Sequence, residues 1–263
     1  ETPERPERVE APLSAFLGLV FCGTASGKVY ALDAATGEVK WTYDIQGTVL
    51  GTATVVPAAE EGGVNQLYVI NQDDGVLHCV NALTGEKLWQ TEPVERCDGS
   101  AGVANGRVVF GSCAAAFHVF DASDGSVQQT IPLDQDAQVA AGAALAGNSI
   151  YPGSHNGFFY HADAATGRIY WTNRQSQGEI FSTPAVSPEH VVYSSSDGHV
   201  YGLDRRSGMR KWNLEVFATP TSAVIAAERV LVGVKGSLKI LELATGKEIW
   251  SHEISDEIAS PAL

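Results

Sequence analysis

The chain has 263 residues, of which 44% are hydrophobic, and its 17 basic and 31 acidic residues give a formal net charge of −14. This acidity argues against a nucleic-acid partner, because contacts to phosphates need clustered lysine and arginine. No apolar run approaches the roughly 20 residues that a membrane-spanning helix requires, so membrane insertion is not expected.

The first informative element is a strand–turn–strand pattern in residues 27–41. It reads Gly-Lys-Val-Tyr-Ala-Leu-Asp-Ala-Ala-Thr-Gly-Glu-Val-Lys-Trp. The oxygens of Asp33 and Thr36 can accept hydrogen bonds from nearby backbone N–H groups, and Gly37 can adopt a positive φ. The pattern therefore predicts two antiparallel strands, the second of which carries Trp41.

The same pattern recurs about every 40 residues, a period typical of propellers and solenoids. The turn glycines of the six copies are Gly37, Gly85, Gly125, Gly167, Gly208 and Gly246. Every tryptophan of the chain lies four residues after one of them, and the third copy has Gln129 in that place. We therefore expect the tryptophans to be structural and mostly buried between repeats.

Two further strands precede each copy, so that every repeat has four antiparallel strands, named a, b, c and d in chain order. Strand b is a β-branched run such as Val191-Val-Tyr, and strand a is a short segment of small residues such as 182–186. Small residues suit the crowded centre of a propeller. A solenoid is the weaker alternative, since parallel β-helix turns are shorter and helical repeats lack strands. The sequence predicts an all-β fold, a β-propeller with six recognisable blades.

The two ends of the chain suggest how the ring closes. Residues 259–263 resemble another strand a, and residues 6–10 stand where a strand d would lie. We therefore expect a partial seventh blade shared between the termini. On this interpretation residues 1–263 form one propeller domain that is truncated at its C-terminus.

The third repeat contains Cys97 and Cys113, which flank a hairpin whose turn is predicted at Asn105-Gly106. Hairpin register places the two cysteines nearly opposite each other. Three interpretations stay open: two small buried hydrophobic residues, a disulfide, or a metal or redox site.

In a propeller the d–a and b–c loops share one rim, which is the candidate binding surface. Its candidate residues are Asp73, Asp74, Cys97, Asp98, Cys113, His155, Asn156, Glu179, Phe181, Asp197 and His199, and the same loops carry Asp134, Asp136 and Phe217. Acidic residues and histidines around a channel mouth could bind a cation or a basic partner. The alternative is that they are simply solvated.

The repeat of residues 27–41 resembles that of the pyrroloquinoline-quinone-like propeller superfamily, which includes quinoprotein dehydrogenases and the BamB-like assembly proteins. The resemblance covers essentially the whole chain and implies a propeller. The dehydrogenases of this superfamily often carry two adjacent cysteines and a calcium ion held by Glu, Asn and Asp. This chain has no adjacent cysteines, and none of its residues matches a catalytic position.

The sequence therefore favours a non-catalytic scaffold that binds another protein or a ligand through its rim, without a cofactor. The alternative is an oxidoreductase dependent on pyrroloquinoline quinone and calcium, or a relic of one. We expect a monomeric bacterial protein that works in the periplasm or elsewhere outside the cytoplasm, with a protein or domain as its partner.

Overall fold

The computed structural model describes residues 7–134, 136–139 and 141–254. These residues form six four-stranded antiparallel sheets, one for each repeat of the sequence. The described part of the chain contains no helix that could cross a lipid bilayer. The fold is the predicted propeller arrangement, with the strands of each blade in the order a, b, c, d.

The first three blades comprise strands β1 to β12. Blade 1 contains β1 (Ser14–Phe16), β2 (Leu19–Gly23), β3 (Lys28–Asp33) and β4 (Val39–Asp44); blade 2 contains β5 (Thr54–Val56), β6 (Gln66–Ile70), β7 (Leu77–Asn81) and β8 (Lys87–Gln90); blade 3 contains β9 (Gly102–Ala104), β10 (Arg107–Ser112), β11 (Ala116–Asp121) and β12 (Val127–Pro132).

The last three blades comprise strands β13 to β24. Blade 4 contains β13 (Ala144–Ala146), β14 (Ser149–Tyr151), β15 (Phe159–Asp163) and β16 (Ile169–Asn173); blade 5 contains β17 (Ala185–Val186), β18 (His190–Ser195), β19 (His199–Asp204) and β20 (Arg210–Glu215); blade 6 contains β21 (Val224–Ala226), β22 (Arg229–Val234), β23 (Ser237–Glu242) and β24 (Glu248–Glu253).

The turn between strands c and d follows from its sequence. In blade 1, Oδ1 of Asp33 accepts hydrogen bonds from the backbone N–H groups of Ala35 at 3.0 Å and Thr36 at 2.9 Å. Gly37 closes the turn with a φ of 74° and donates its N–H to the carbonyl of Asp33. All six turn glycines have φ values between 70° and 75°. The predicted Asn105-Gly106 hairpin is also confirmed, since both residues have positive φ and Ala104 pairs with Arg107.

Apolar clusters join each blade to the next. The short a strands (β1, β5, β9, β13, β17 and β21) pack side by side in chain order. Outside them, five clusters of buried residues lie between consecutive blades, from the blade 1–2 joint to the blade 5–6 joint. The core is therefore a series of interblade layers, as a stack of sheets with two apolar faces requires.

Four of the five tryptophans, Trp41, Trp89, Trp171 and Trp212, pack on the turn glycine of the following blade. A Cβ atom built on Gly85 would lie 2.7 Å from Trp41, and one on Gly246 would lie 2.4 Å from Trp212. The Trp212 indole N–H donates to a backbone carbonyl of blade 6 at 2.8 Å. In the third blade, Gln129 takes this place against Gly167. The turn glycine is therefore required for two reasons: its positive φ, and the close approach of the indole ring, which leaves no room for a Cβ atom.

Burial of the tryptophans follows this packing. Trp41 and Trp212 are 9% and 7% exposed, as predicted, whereas Trp89 and Trp171 are half-buried. The prediction is wrong for Trp250, which is 44% exposed. Its sequence motif is intact, but among the described residues no blade follows the sixth to cover it.

Blade 1 is open on the opposite side. A Cβ on Gly37 would meet nothing within 4 Å, unlike the turn glycines of the later blades. The cross-strand pair Val20–Leu32 is half-buried, whereas the equivalent pair in blade 5, Val191–Leu203, is fully buried. Blades 1 and 6 therefore each present one partly uncovered apolar face.

The strand d expected near the N-terminus is not formed in residues 7–10, which lie in no strand. Instead, the Arg8 carbonyl accepts a hydrogen bond from the Ala25 N–H at 2.8 Å, so this segment runs along the rim of blade 1. It has no strand of a further blade to pair with among the described residues. The strand a expected at residues 259–263 lies outside the described residues.

Candidate functional site

The d–a loops and b–c turns form one continuous rim, held by backbone hydrogen bonds that repeat around the ring. The b–c turn of a blade donates an N–H to the loop that enters that blade, as from Cys113 to Arg96 at 2.8 Å and from Ser196 to Glu179 at 2.9 Å. The same loop donates back to the preceding blade, as from Cys97 to Gln72 at 3.0 Å. Each rim loop is therefore fixed between two blades, and its side chains are presented on a rigid support.

Five candidate residues gather at the joint of blades 2 and 3. Asp98 lies in the loop before β9, where Oδ1 accepts hydrogen bonds from Nε2 of Gln72 at 2.6 Å and from Nε of Arg96 at 2.9 Å. Asp73 and Asp74 lie on the β6–β7 turn, and Asp73 accepts the Thr48 N–H at 3.1 Å. Cys97 and Cys113 complete this group, which we call the first rim cluster: Asp73, Asp74, Cys97, Asp98 and Cys113.

A depression of about 530 Å³ lies beside the first rim cluster. It is lined by Asp73, Asp74, Pro93, Val94, Glu95 and Arg96. Three of these six residues are acidic and one is basic, so the depression is predominantly negative. Its charge suits a cationic group such as a lysine or arginine side chain.

The other candidates gather around blades 4 and 5. His155 and Asn156 form part of the β14–β15 turn, and Nδ1 of His155 lies 4.0 Å from Oε1 of Glu179. The His155 ring also contacts the edge of Phe181, with ring centroids 4.8 Å apart. We call this group, with Asp197 and His199 on the next turn, the second rim cluster: His155, Asn156, Glu179, Phe181, Asp197 and His199.

Asp197 turns inward rather than toward solvent, since its side chain is only 8% exposed. It accepts hydrogen bonds from the Tyr201 hydroxyl at 2.7 Å, the Gln177 N–H at 2.9 Å and the His199 N–H at 3.1 Å. Burial opposes ionisation of Asp197, but these hydrogen bonds outweigh it and lower its pKa below the ordinary value. Asp197 therefore holds the rim loop in place and offers little surface to a ligand.

The sequence analysis missed the cations of the rim. Arg174, in the loop before β17, contacts Asp134 at 2.9 Å and stacks on Phe158 at 4.4 Å from the ring centroid. Arg96 pairs with Asp98 in the same way. Arginines in loops give no periodic signal, so only their spatial pairing identifies them. Asp136 remains exposed.

Phe217, in the loop between β20 and β21, is the most exposed aromatic residue of the rim. It is 84% exposed and has a φ of 58°, a conformation that bulky residues rarely adopt. The equivalent loop position before blade 2 is Gln46, with a φ of 57°; the preceding residues, Ile45 and Val216, make the same backbone hydrogen bond in both blades. Phe181, on the neighbouring loop, is 47% exposed.

In the described part of the chain, the His, Cys, Asp and Glu side chains do not converge as they would at the calcium site of a quinoprotein dehydrogenase. Such a site needs several oxygen ligands that converge on one point. Among the described residues, no group of three or more His, Cys, Asp or Glu side chains is placed to hold a metal ion. Asp98, Asp134 and Asp197 are instead paired with arginine, glutamine, tyrosine or backbone N–H groups.

The fold agrees with comparisons to known proteins. The model of the family described as outer membrane protein assembly factor BamB matches residues 6–78, 73–140 and 128–261. The BamB of Shewanella oneidensis is 27% identical over 264 residues, covering 94% of this chain and 64% of the relative. The BamB of Yersinia pestis is 26% identical over 250 residues, covering 89% of this chain and 63% of the relative. This chain thus spans less than two thirds of the length of either relative.

Solved structures show the same architecture. The crystal structure of BamB from Moraxella catarrhalis superposes with a TM-score of 0.77 at 20% identity, covering 93% of this chain and 76% of that one. A computationally designed protein, Ika8, gives a TM-score of 0.70 at 16% identity, covering 95% of this chain and 88% of that one. At these identities the structures support the fold alone. Because the family model covers nearly the whole sequence, this chain belongs to the family of the outer membrane protein assembly factor BamB.

Proposed function

We propose that this protein is a non-catalytic scaffold that binds another protein through its rim during the assembly of outer membrane proteins. The relatives in Shewanella oneidensis and Yersinia pestis are both named for that process. On this proposal the protein acts as a monomer outside the cytoplasm, needs no cofactor, and presents to its partner the rim with the exposed members of the first and second rim clusters.

The observation that carries the proposal is the exposed Phe217. A phenylalanine that is 84% exposed at a φ of 58° contributes little to the core and stores strain of about 1–3 kcal/mol. Because Gln46 has nearly the same φ at the equivalent position, the conformation belongs to the loop, and what distinguishes Phe217 is its exposed aromatic ring. Aromatic residues are enriched among the hot spots of protein interfaces. Phe217 and Phe181, on neighbouring rim loops, are the exposed aromatic side chains that would supply apolar contacts to a docked protein.

The charges of the rim indicate the chemistry of the partner. Asp73 and Asp136 are exposed, the depression beside Asp73 is predominantly acidic, and the whole chain carries a net charge of −14. A rim that carries exposed aromatic side chains and exposed acidic side chains fits a partner surface that combines apolar side chains with lysine or arginine.

Affinity capture tests this proposal. The tagged protein is incubated with detergent-solubilised outer membranes of the bacterium that encodes it, and retained proteins are identified by mass spectrometry. The wild type should retain a protein of the outer membrane assembly machinery, and the Phe181→Ala/Phe217→Ala variant should lose at least 10-fold of that signal. Such a loss corresponds to about 1.4 kcal/mol of binding free energy.

The matched control is Met209→Ala, since Met209 is 71% exposed but lies on the c–d turn of blade 5, away from the rim loops. Its capture should equal that of the wild type. If Met209→Ala lost the partner while Phe181→Ala/Phe217→Ala kept it, the opposite face of the propeller would be the docking surface and the proposal would fail.

We also propose that one or more further blades of the same repeat type cover the exposed faces of blades 6 and 1. Trp250 stands where earlier tryptophans meet the next turn glycine, and Gly37 stands where a preceding tryptophan would pack. Acrylamide quenching of Trp250 fluorescence, with the other tryptophans replaced by phenylalanine, should be strong in residues 1–263 and weak in the longest form of the protein that cells produce. Equal quenching in both forms would contradict this proposal.

A further inference from the structure

We propose that Cys97 and Cys113 form a disulfide when the protein meets a disulfide-donating oxidant, and that this bond ties the loop entering blade 3 to the β10–β11 turn of the same blade. Both thiols are free in the structure. The inference concerns a modification of the first rim cluster and does not depend on which partner the rim binds.

The backbone places the two cysteines within bonding range. The Cys113 N–H donates to the carbonyl of Arg96, the residue before Cys97, at 2.8 Å. With standard backbone dimensions, this contact keeps the two Cα atoms within about 7 Å of each other, close to the upper end of the range seen in disulfides. The backbone therefore brings the two cysteines within reach of a disulfide, which forms when their side chains turn toward each other.

The same hydrogen bond recurs in other blades, but without cysteines. The residues equivalent to Cys97 and Cys113 are Val139 and His155 in blade 4, and Ile180 and Ser196 in blade 5, as their backbone hydrogen bonds show. The repeat therefore needs no sulfur at either position. A cysteine at both positions of one blade is a property of this blade and not of the fold.

The two thiols differ in accessibility, which sets the order of reaction. Cys97 is 2% exposed, and its Sγ donates to the Glu95 carbonyl at 3.2 Å. Cys113 is only partly buried. Burial raises the pKa of the Cys97 thiol well above its ordinary range, and burial raises the pKa of the Cys113 thiol as well. Cys113 is therefore the thiol that an oxidant meets first, and Cys97 is the resolving thiol.

The chemistry is ordinary thiol–disulfide exchange. The Cys113 thiolate attacks one sulfur of the donor disulfide, which releases the first donor thiol and leaves a mixed disulfide on Cys113. Cys97 then gives up its hydrogen bond to Glu95, loses its proton and attacks the Cys113 sulfur, which releases the second donor thiol. The two cysteines lose two electrons and two protons in total, and the donor disulfide gains them as two thiols.

A metal is not the better explanation of this pair. Two thiolates would need at least one further ligand in reach, and among the described residues no such group of three occurs. Oxidation would instead act on the rim directly, because Arg96 and Asp98 flank Cys97 and pair with each other at 2.9 Å. The bond would hold that ion pair in a fixed position on the rim.

Reaction with oxidised glutathione at pH 8 tests the proposal in the folded wild-type chain and in the Cys97→Ser and Cys113→Ser variants. Intact mass and peptide mapping are read after blocking the remaining thiols. The wild type should lose two hydrogens and yield a peptide linked through Cys97 and Cys113. Cys97→Ser should instead accumulate glutathione on Cys113, and Cys113→Ser should react at least 10-fold more slowly than the wild type.

Three results would overturn the proposal: both thiols stay reduced in the wild type, glutathione accumulates on its Cys113 without resolution, or the linked peptide contains Cys22 or Cys79. The Cys97→Ser/Cys113→Ser variant is the matched control, since its remaining Cys22 and Cys79 should bind no glutathione while the chain is folded. Because the wild-type measurement needs no substitution, a variant that fails to fold would not obscure the result.

Discussion

Replacing Gly85 with alanine tests how one blade is seated on the next. A Cβ at Gly85 would lie 2.7 Å from Trp41, and φ there is +72°; at Gly37 φ is nearly the same, +74°, but nothing lies within 4 Å. The left-handed conformation costs alanine about 1–2 kcal/mol at either site. Overpacking against the indole adds about 1–3 kcal/mol at Gly85 alone. We therefore expect losses of about 2–5 kcal/mol for Gly85→Ala and about 1–2 kcal/mol for Gly37→Ala.

Equilibrium unfolding in urea measures both losses as free energies of unfolding. A double-mutant cycle isolates the contact with Trp41. In the Trp41→Ala background the ring is absent, so Gly85→Ala should cost no more than Gly37→Ala does in the wild type. If Gly85→Ala and Gly37→Ala destabilised the wild type equally, backbone conformation alone would explain why a glycine recurs in this turn. The proposed role of the tryptophan contact would then be refuted.

Three further predictions follow from burial and strain. Burial lowers the pKa of His118 from 6.5 to about 4, so the folded protein should lose about 3 kcal/mol of stability as the pH falls from 6.5 to 4. In urea unfolding, His118→Gln should remove that part of the pH dependence. If the free energy of unfolding of His118→Gln changed with pH as steeply as that of the wild type, the prediction would be wrong. Trp212→Ala should cost about 3–5 kcal/mol, whereas Trp250→Ala should cost much less because Trp250 is 44% exposed; equal costs would show that Trp250 is covered. Phe217→Gly should stabilise the fold by about 1 kcal/mol but weaken partner binding, whereas Gln46→Gly, at a similar φ, should stabilise it without affecting binding.

Local features of the fold could be predicted because their chemistry lies within a few residues. The turn at Asp33 to Gly37 depends on side-chain acceptors and one glycine, all adjacent in sequence, and the Asn105-Gly106 hairpin depends on two residues that tolerate positive φ. The recurrence of such a turn six times, with a tryptophan four residues later in five of the copies, was sufficient to predict six blades. Neither feature requires knowledge of a distant contact.

Contacts between blades could not be predicted in the same way. The sequence places Trp250 in the same position of its repeat as Trp212. The burial of each tryptophan depends on whether another blade follows, and only the structure shows that Trp212 is buried and Trp250 is exposed. Similarly, Asp197 lies on a rim turn as expected, yet its carboxylate is satisfied internally by Tyr201 and Gln177. The exposure of Phe217 also follows from loop geometry that its neighbours in sequence do not reveal.

Photo-crosslinking in living cells tests most directly whether the rim is the docking surface. Benzoylphenylalanine is introduced in place of Phe217 on the rim and, as a control, in place of Met209, which is also largely exposed. The account predicts that the probe at position 217 crosslinks to another protein of outer membrane assembly and that the probe at position 209 does not. Crosslinks from position 209 alone, or from neither position in cells that assemble outer membrane proteins normally, would contradict it.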